Sequence, residues 1–133
     1  MKGCRYRVET LRGKDLKLFE EIVSLTQEEL LRVMKKYLKK HYKKITATAD
    51  YILAEGDIPI ALVAHLDTVF SRPAVNVFYD TKKNVMWSPE GLGADDRSGV
   101  WMIIQLIQSG LRPHVILTVD EEKGCLGSTM LVH

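Results

Sequence analysis

The sequence predicts an α/β domain in which a mixed β-sheet carries flanking helices. Three observations predict it. The first third has helical periodicity, the runs after Ile45 are β-branched or apolar, and a helix-length segment, "VWMIIQLIQSG", lies between the strand-like runs "IPIALVAHL" and "HVILTV". A strand, a crossover helix and a second apolar strand call for parallel pairing, whereas short runs separated by turn-formers call for antiparallel pairing, so one sheet holds both. The chain's 133 residues fit a single domain, residues 1–133, that can bury a core. No internal repeat, low-complexity tract or Pro/Gly/Ser linker marks a second one.

Each element can be justified in turn. "LKLFEEIVSL" is a short amphipathic helix, and "TQEELLRVMKKYLKK" begins with Thr26 and Glu29 in capping-box spacing. Leu30, Val33, Met34, Tyr37 and Leu38 then form an apolar stripe that leaves the lysines on the other face. A solvated flank accounts for "KKYLKKHYKK" more simply than an acidic partner does, and His41 shares that reading. "ITATADYILAEG" reads as an edge strand and "IPIALVAHL" as a central one, with "EGDIP" reversing the chain between them in an antiparallel hairpin. "AVNVFYD" and "NVMWSP" make a second hairpin that turns at "TKKN". "EGLGADDRSG" is a loop, and the apolar helix after it ends at Gly110. "HVILTVDEEKG" is a buried strand entering an acidic loop, and "CLGSTMLVH" opens a last helix. Trp87 and Trp101 are expected in the core.

Nineteen basic and seventeen acidic residues leave a net charge of +2, which excludes nucleic acid or an anionic membrane as a partner chosen by bulk charge. No apolar run approaches the roughly 20 residues that cross a bilayer, and "MKGCRYRVET" lacks the apolar centre of a signal peptide. Cys4 and Cys125 have no metal-type spacing and suggest neither a disulfide framework nor a cysteine zinc site. The expectation is a soluble, cytoplasmic protein with reduced thiols.

Acidic and imidazole groups collect at three places, each next to an apolar run: His65 with Asp67, Asp95 with Asp96, and Asp120 with Glu121 and Glu122. Sites in open α/β sheets form beyond the strand ends, so the first and third clusters can converge although more than 50 positions separate them. Period-2 geometry puts His65 and Asp67 on one face, where a carboxylate can orient a metal-bound imidazole; a polar strand end meeting solvent has the same pattern. Asp95 and Asp96 can cap helix N–H groups or approach an ion through their glycine-rich surroundings. Glu121 and Glu122 can belong to a solvated loop, but if folding brings them near Asp96, their mutual repulsion calls for a cation.

Taken jointly, "HLDTV", "GLGADDRSG" and "DEEKGCLGS" resemble signatures of the co-catalytic zinc peptidase superfamily, which includes tripeptidases, glutamate-type carboxypeptidases and acetylornithine deacetylases. The resemblance runs from Ile58 to Ser128. It implies a zinc exopeptidase-like three-layer fold and hydrolysis of amide bonds in a small peptide or N-acyl amino acid. It also implies His65 as a ligand of one zinc, Asp67 as its orienting partner, Asp96 as the ligand shared by two metals and Glu122 as a ligand of the other. Glu121 becomes the general base, and the peptide bond from Asp96 to Arg97 is the candidate for a cis conformation. Zn2+ is the implied ion, one or two per chain, with Co2+ or Mn2+ compatible with the same ligands. The match covers the N-terminal part of such a catalytic domain: no Asp or Glu follows Glu122, His114 and His133 read as structural, and no lid domain is present. One metal is therefore expected to bind more firmly than a second. The exposed sheet edge of a partial domain favours a homo-oligomer or a completing chain. A noncatalytic metal-binding or self-assembling module is the competing function.

Overall fold

Among residues 13–132, which the computed structural model describes, local sequence signals account for most of the elements. The order is α1 (Gly13–Val23), α2 (Gln27–His41), β1 (Lys44–Ala47), β2 (Tyr51–Glu55), β3 (Ile58–His65), β4 (Phe78–Asp80), β5 (Val85–Trp87), α3 (Ala94–Gln108), β6 (Pro113–Thr118) and α4 (Leu126–Val132). Cys4 and His133 lie outside the described residues. The capping box forms as expected: Thr26 Oγ1 accepts the Glu29 N–H, and the Glu29 carboxylate accepts the Thr26 N–H at 2.9 Å. These two bonds stop the chain between α1 and α2 and satisfy N–H groups that the first helical turn leaves free.

The principal sheet is mixed, in the order β1-β2-β6-β3. β3 runs parallel to β6, with α3 as the crossover between them, while β2 is antiparallel to both β1 and β6. The anticipated hairpin at "EGDIP" is not formed, because β6 lies between β2 and β3. The backbone of the connection is committed to the entry of β6: Gly56 donates to His114 Nδ1 at 3.1 Å and Asp57 to the Arg112 carbonyl at 2.9 Å. The hairpin falls earlier, inside "ITATADYILAEG", where Thr48 Oγ1 accepts the N–H groups of Asp50 and Tyr51 and folds β1 against β2. β3 is thus a margin strand rather than a central one, and its apolar run does not mean full burial: Ile60 is 55% and Val63 61% exposed.

One face of the sheet carries the core. Leu30, Met34 and Leu38 of α2, spaced four residues apart, are fully buried with Ile52, Val115 and Leu117, and Val100, Ile103 and Ile107 of α3 complete the cluster. The stripe on α2 is narrower than its sequence suggests, since Val33 is 49% exposed. The β4–β5 hairpin forms about the expected turn, pairing Phe78 with Trp87, and these rings stack at 4.9 Å. Trp87 is consequently half-exposed on the hairpin and not in the core, whereas Trp101 packs against Phe19 and donates its indole N–H to the Asp15 carbonyl. Gly110 ends α3 in the left-handed region, at φ 97°. No helix among the described residues is long and apolar enough to cross a membrane.

A Cβ added at Gly56 would lie 2.1 Å from the Arg112 carbonyl oxygen, against backbone that cannot swing aside. Gly56→Ala is expected to destabilise the domain by about 1–3 kcal/mol, the usual cost of overpacking, read as a lower urea midpoint at unchanged slope. A second prediction concerns acid. Hydrogen bonds from Thr26 hold the Glu29 pKa below its ordinary value, so its contribution is present above that ordinary value and is lost as pH falls through the lower folded one. Glu29→Gln is expected to be less stable than wild type at neutral pH, with the two denaturation curves converging in acid.

Candidate metal centre

Parallel pairing sets His65 opposite Thr118, so β3 and β6 release their chains at the same margin of the sheet. The Leu66 N–H extends this ladder by donating to the Thr118 carbonyl at 2.9 Å. Asp67 follows, 6% exposed, and its carboxylate accepts the Glu121 N–H on Oδ1 at 3.1 Å and the Glu122 N–H on Oδ2 at 2.9 Å. One side chain from the first cluster therefore holds the backbone of the third.

The acidic turn is held from its other side by Gln27, at the start of α2. Gln27 Oε1 accepts the Asp120 N–H at 3.0 Å, and Gln27 Nε2 donates to Asp120 Oδ1 at 3.1 Å. Lys123 lies 2.9 Å from the same carboxylate, and together with Gln27 it holds Asp120 below the ordinary carboxylate range. Asp120 has φ 53°, the left-handed conformation that Asp tolerates better than most residues. Asp120 is thus taken up in building the turn.

His65 stands among several carboxylates. Its Nδ1 is 3.3 Å from Asp67 Oδ1, at an angle outside hydrogen-bond geometry, and is buried with no hydrogen-bond partner. Its Nε2 is 3.4 Å from Asp95 Oδ1 and 3.9 Å from Glu121 Oε2. His65, Glu121 and Glu122 each offer a ligand atom, and these atoms lie within 4.8 Å of one another. An imidazole and two carboxylates at this spacing could hold a divalent cation, whose charge would offset the repulsion between the acids.

The paired aspartates have separate surroundings. Asp95 is the exposed one, and its carboxylate faces His65 Nε2. Asp96 is turned inward against Gly99, where a Cβ would sit 2.4 Å from its Oδ1. Burial pushes the Asp96 carboxyl up, opposed by the nearby His65 and by the backbone N–H groups of Gly99 and His65. The structure therefore brings Asp95, and not Asp96, to the imidazole nitrogen, with Asp96 turned toward Gly99. The cis peptide bond also differs from expectation: it joins Asp95 to Asp96, not Asp96 to Arg97. Both aspartates have non-helical backbone angles, and the regular turns of α3 follow them.

Sequence reasoning passed over Gln27 and Arg97. Arg97 is 3% exposed, and its Nη1 donates to the carbonyls of Ile22 and Leu25 at the end of α1. Neither residue has a motif to announce it, since each acts on elements distant in sequence.

No protein-family model matches the sequence, and no curated protein matches it. Among solved structures, aminoacylhistidine dipeptidase from Vibrio alginolyticus is similar, with a TM-score of 0.51 at 16% identity. The likeness covers 86% of this chain and 29% of that one. It establishes the fold: the mixed sheet and its flanking helices correspond to part of a peptidase fold.

Asp67→Asn tests the joint between the clusters. An amide presents one acceptor and one donor where two N–H groups converge, so one buried donor loses its partner. A stability loss of about 1–3 kcal/mol is expected by chemical denaturation of the metal-free protein.

Proposed function

We propose that this chain carries the metal-binding part of a hydrolase that cleaves the amide bond of a small peptide or N-acyl amino acid. The observation that carries the reading is the convergence of His65, Glu121 and Glu122 within 4.8 Å at the shared end of β3 and β6. The peptidase fold of the structural neighbour and the three motifs from Ile58 to Ser128 support it. In this reading His65 and Glu122 hold the ion, with Asp95 completing the set from the start of α3. Asp96, turned inward against Gly99, is not counted in this set.

A divalent ion bound there would supply Lewis acidity toward a carbonyl and make water a better proton donor near neutral pH; zinc suits the ligands, and cobalt or manganese is compatible with them. Glu121 stands beside His65, with its backbone fixed by Asp67 and its side chain half-exposed. It takes the proton from the attacking water and returns it to the leaving amine. Asp67 keeps both glutamates in register through their N–H groups and offers its Oδ1 to His65, a positioning role.

A second reading, a metal-binding or assembly module without catalysis, draws on the margin strand β3. Its edge, which has no neighbour among the described residues, and the exposed Ile60 and Val63 suit pairing with a second copy or with a completing chain.

Calorimetric titration with zinc separates the parts. One firmly bound ion per chain is expected, lost in His65→Ala and weakened about 10–100-fold in Asp67→Asn. Glu121→Gln is expected to retain zinc while hydrolysis of a di- and tripeptide and N-acyl amino acid panel falls about 10²–10⁴-fold. Turnover that survives chelation would overturn the metal-dependent mechanism. Zinc binding without turnover of any panel member would favour the assembly module.

A further inference from the structure

Asp67 also lines a cleft of about 230 Å³ that the hydrolytic reading does not use. Its walls come from the α1–α2 connection, the loop after β3, the glycine segment before α3 and the acidic turn. The decisive group in it is Arg97. This guanidinium is 97% buried by its 3% exposure, forms no ion pair among the described residues, and leaves Nε buried without a hydrogen-bond partner. The two carbonyls that Nη1 reaches account for its attachment to α1 but not for the idle Nε. Asp67 offsets part of its charge, but a buried donor without a partner is costly unless something else meets it.

The rest of the lining favours an anion. Arg72, exposed on the loop after β3, forms no ion pair among the described residues. Gly91 and Gly93, which carry no side chain, also line it before α3 begins. Two carboxylates also line it, and both are engaged: Asp67 accepts the Glu121 and Glu122 N–H groups, and Asp120 is tied to Gln27 and Lys123. Arg72, Arg97 and Lys123 against Asp67 and Asp120 leave one positive charge over. The volume is below that of pockets for drug-sized ligands, about 300–1,000 Å³, and suits a single charged group.

We propose that this cleft is a binding site for a compact oxyanion, the carboxylate or phosphate group of a small molecule, gripped by Arg97 and Arg72 beside the glycine segment that precedes α3. The planar guanidinium fork matches either group, and Arg97 still has a donor, Nε, without a partner. The site does not depend on the metal reading, because none of its donors comes from His65, Glu121 or Glu122.

The test is run in chelator, so that its outcome is separate from that of the metal centre. The 15N-labelled chain is titrated in one arm with inorganic phosphate and in another with acetate at constant ionic strength. Saturable shifts are expected at the Gly93 amide and the Arg97 Nε–H; saturation by phosphate alone assigns a phosphate group, and by acetate alone a carboxylate. Arg72→Ala, on an exposed loop, is expected to weaken the better anion about tenfold while the fold is kept. Arg97→Lys, which retains the charge without the fork, tests the buried donor and is expected to weaken it at least as much. Absence of saturation in both arms, or equal affinity in wild type and Arg72→Ala, would overturn the proposal.

Discussion

The arrangement depends on a single buried carboxylate. Asp67 leaves the end of β3 and receives two consecutive N–H groups from the turn after β6, so the ends of two parallel strands are joined beyond their ladder. Strand pairing alone brings His65 level with Thr118, but leaves the next residues free to diverge. Charge-assisted bonds to adjacent N–H groups fix the position and direction of the turn, and with them the bases of the Glu121 and Glu122 side chains. Burial strengthens this constraint, since breaking either bond would strand a donor away from water.

Much of the fold was legible because its signals are local. Thr26 and Glu29 announce a capping box, Gly110 a helix end, and the spacing of Leu30, Met34 and Leu38 a buried face; the structure has all three. The order of strands was not legible, because it depends on partners far apart in the chain. The turn-formers of "EGDIP" fit a hairpin equally well, and only the Arg112–His114 segment, more than 50 residues later, decides that β6 enters between β2 and β3. Apolar composition misled in a related way: "IPIALVAHL" has the sequence of a fully covered strand, yet in this chain one edge of β3 has no neighbour among the described residues.

The candidate site was readable to the level of its clusters and less so within them. His65, Asp67, Glu121 and Glu122 meet because each ends or follows a strand of one parallel pair, a consequence of topology that the apolar runs reveal. Which of two adjacent aspartates faces the imidazole is a question of backbone angles near Gly93 and of the space that Gly99 leaves, and adjacent identical residues carry no signal for it. Gln27 and Arg97 were hidden for a similar reason. A glutamine at a helix start and an arginine after two acids both look solvated until the elements they bridge are placed in space.

The distribution of charge around Asp67 gives a reason for this carboxylate to be buried at all. On one side it faces His65, and its field reaches the guanidinium of Arg97, whose protonation it favours while burial opposes it. A neutral acceptor could bind the same N–H groups, but it would leave Arg97 with no compensating charge in the interior and His65 with no anionic partner for Nδ1. The same negative charge thus serves three neighbours, the turn, the imidazole and the arginine, none of which is close to it in sequence. One carboxylate thus borders both the acidic end of the sheet and the cleft lined by Arg72 and Arg97.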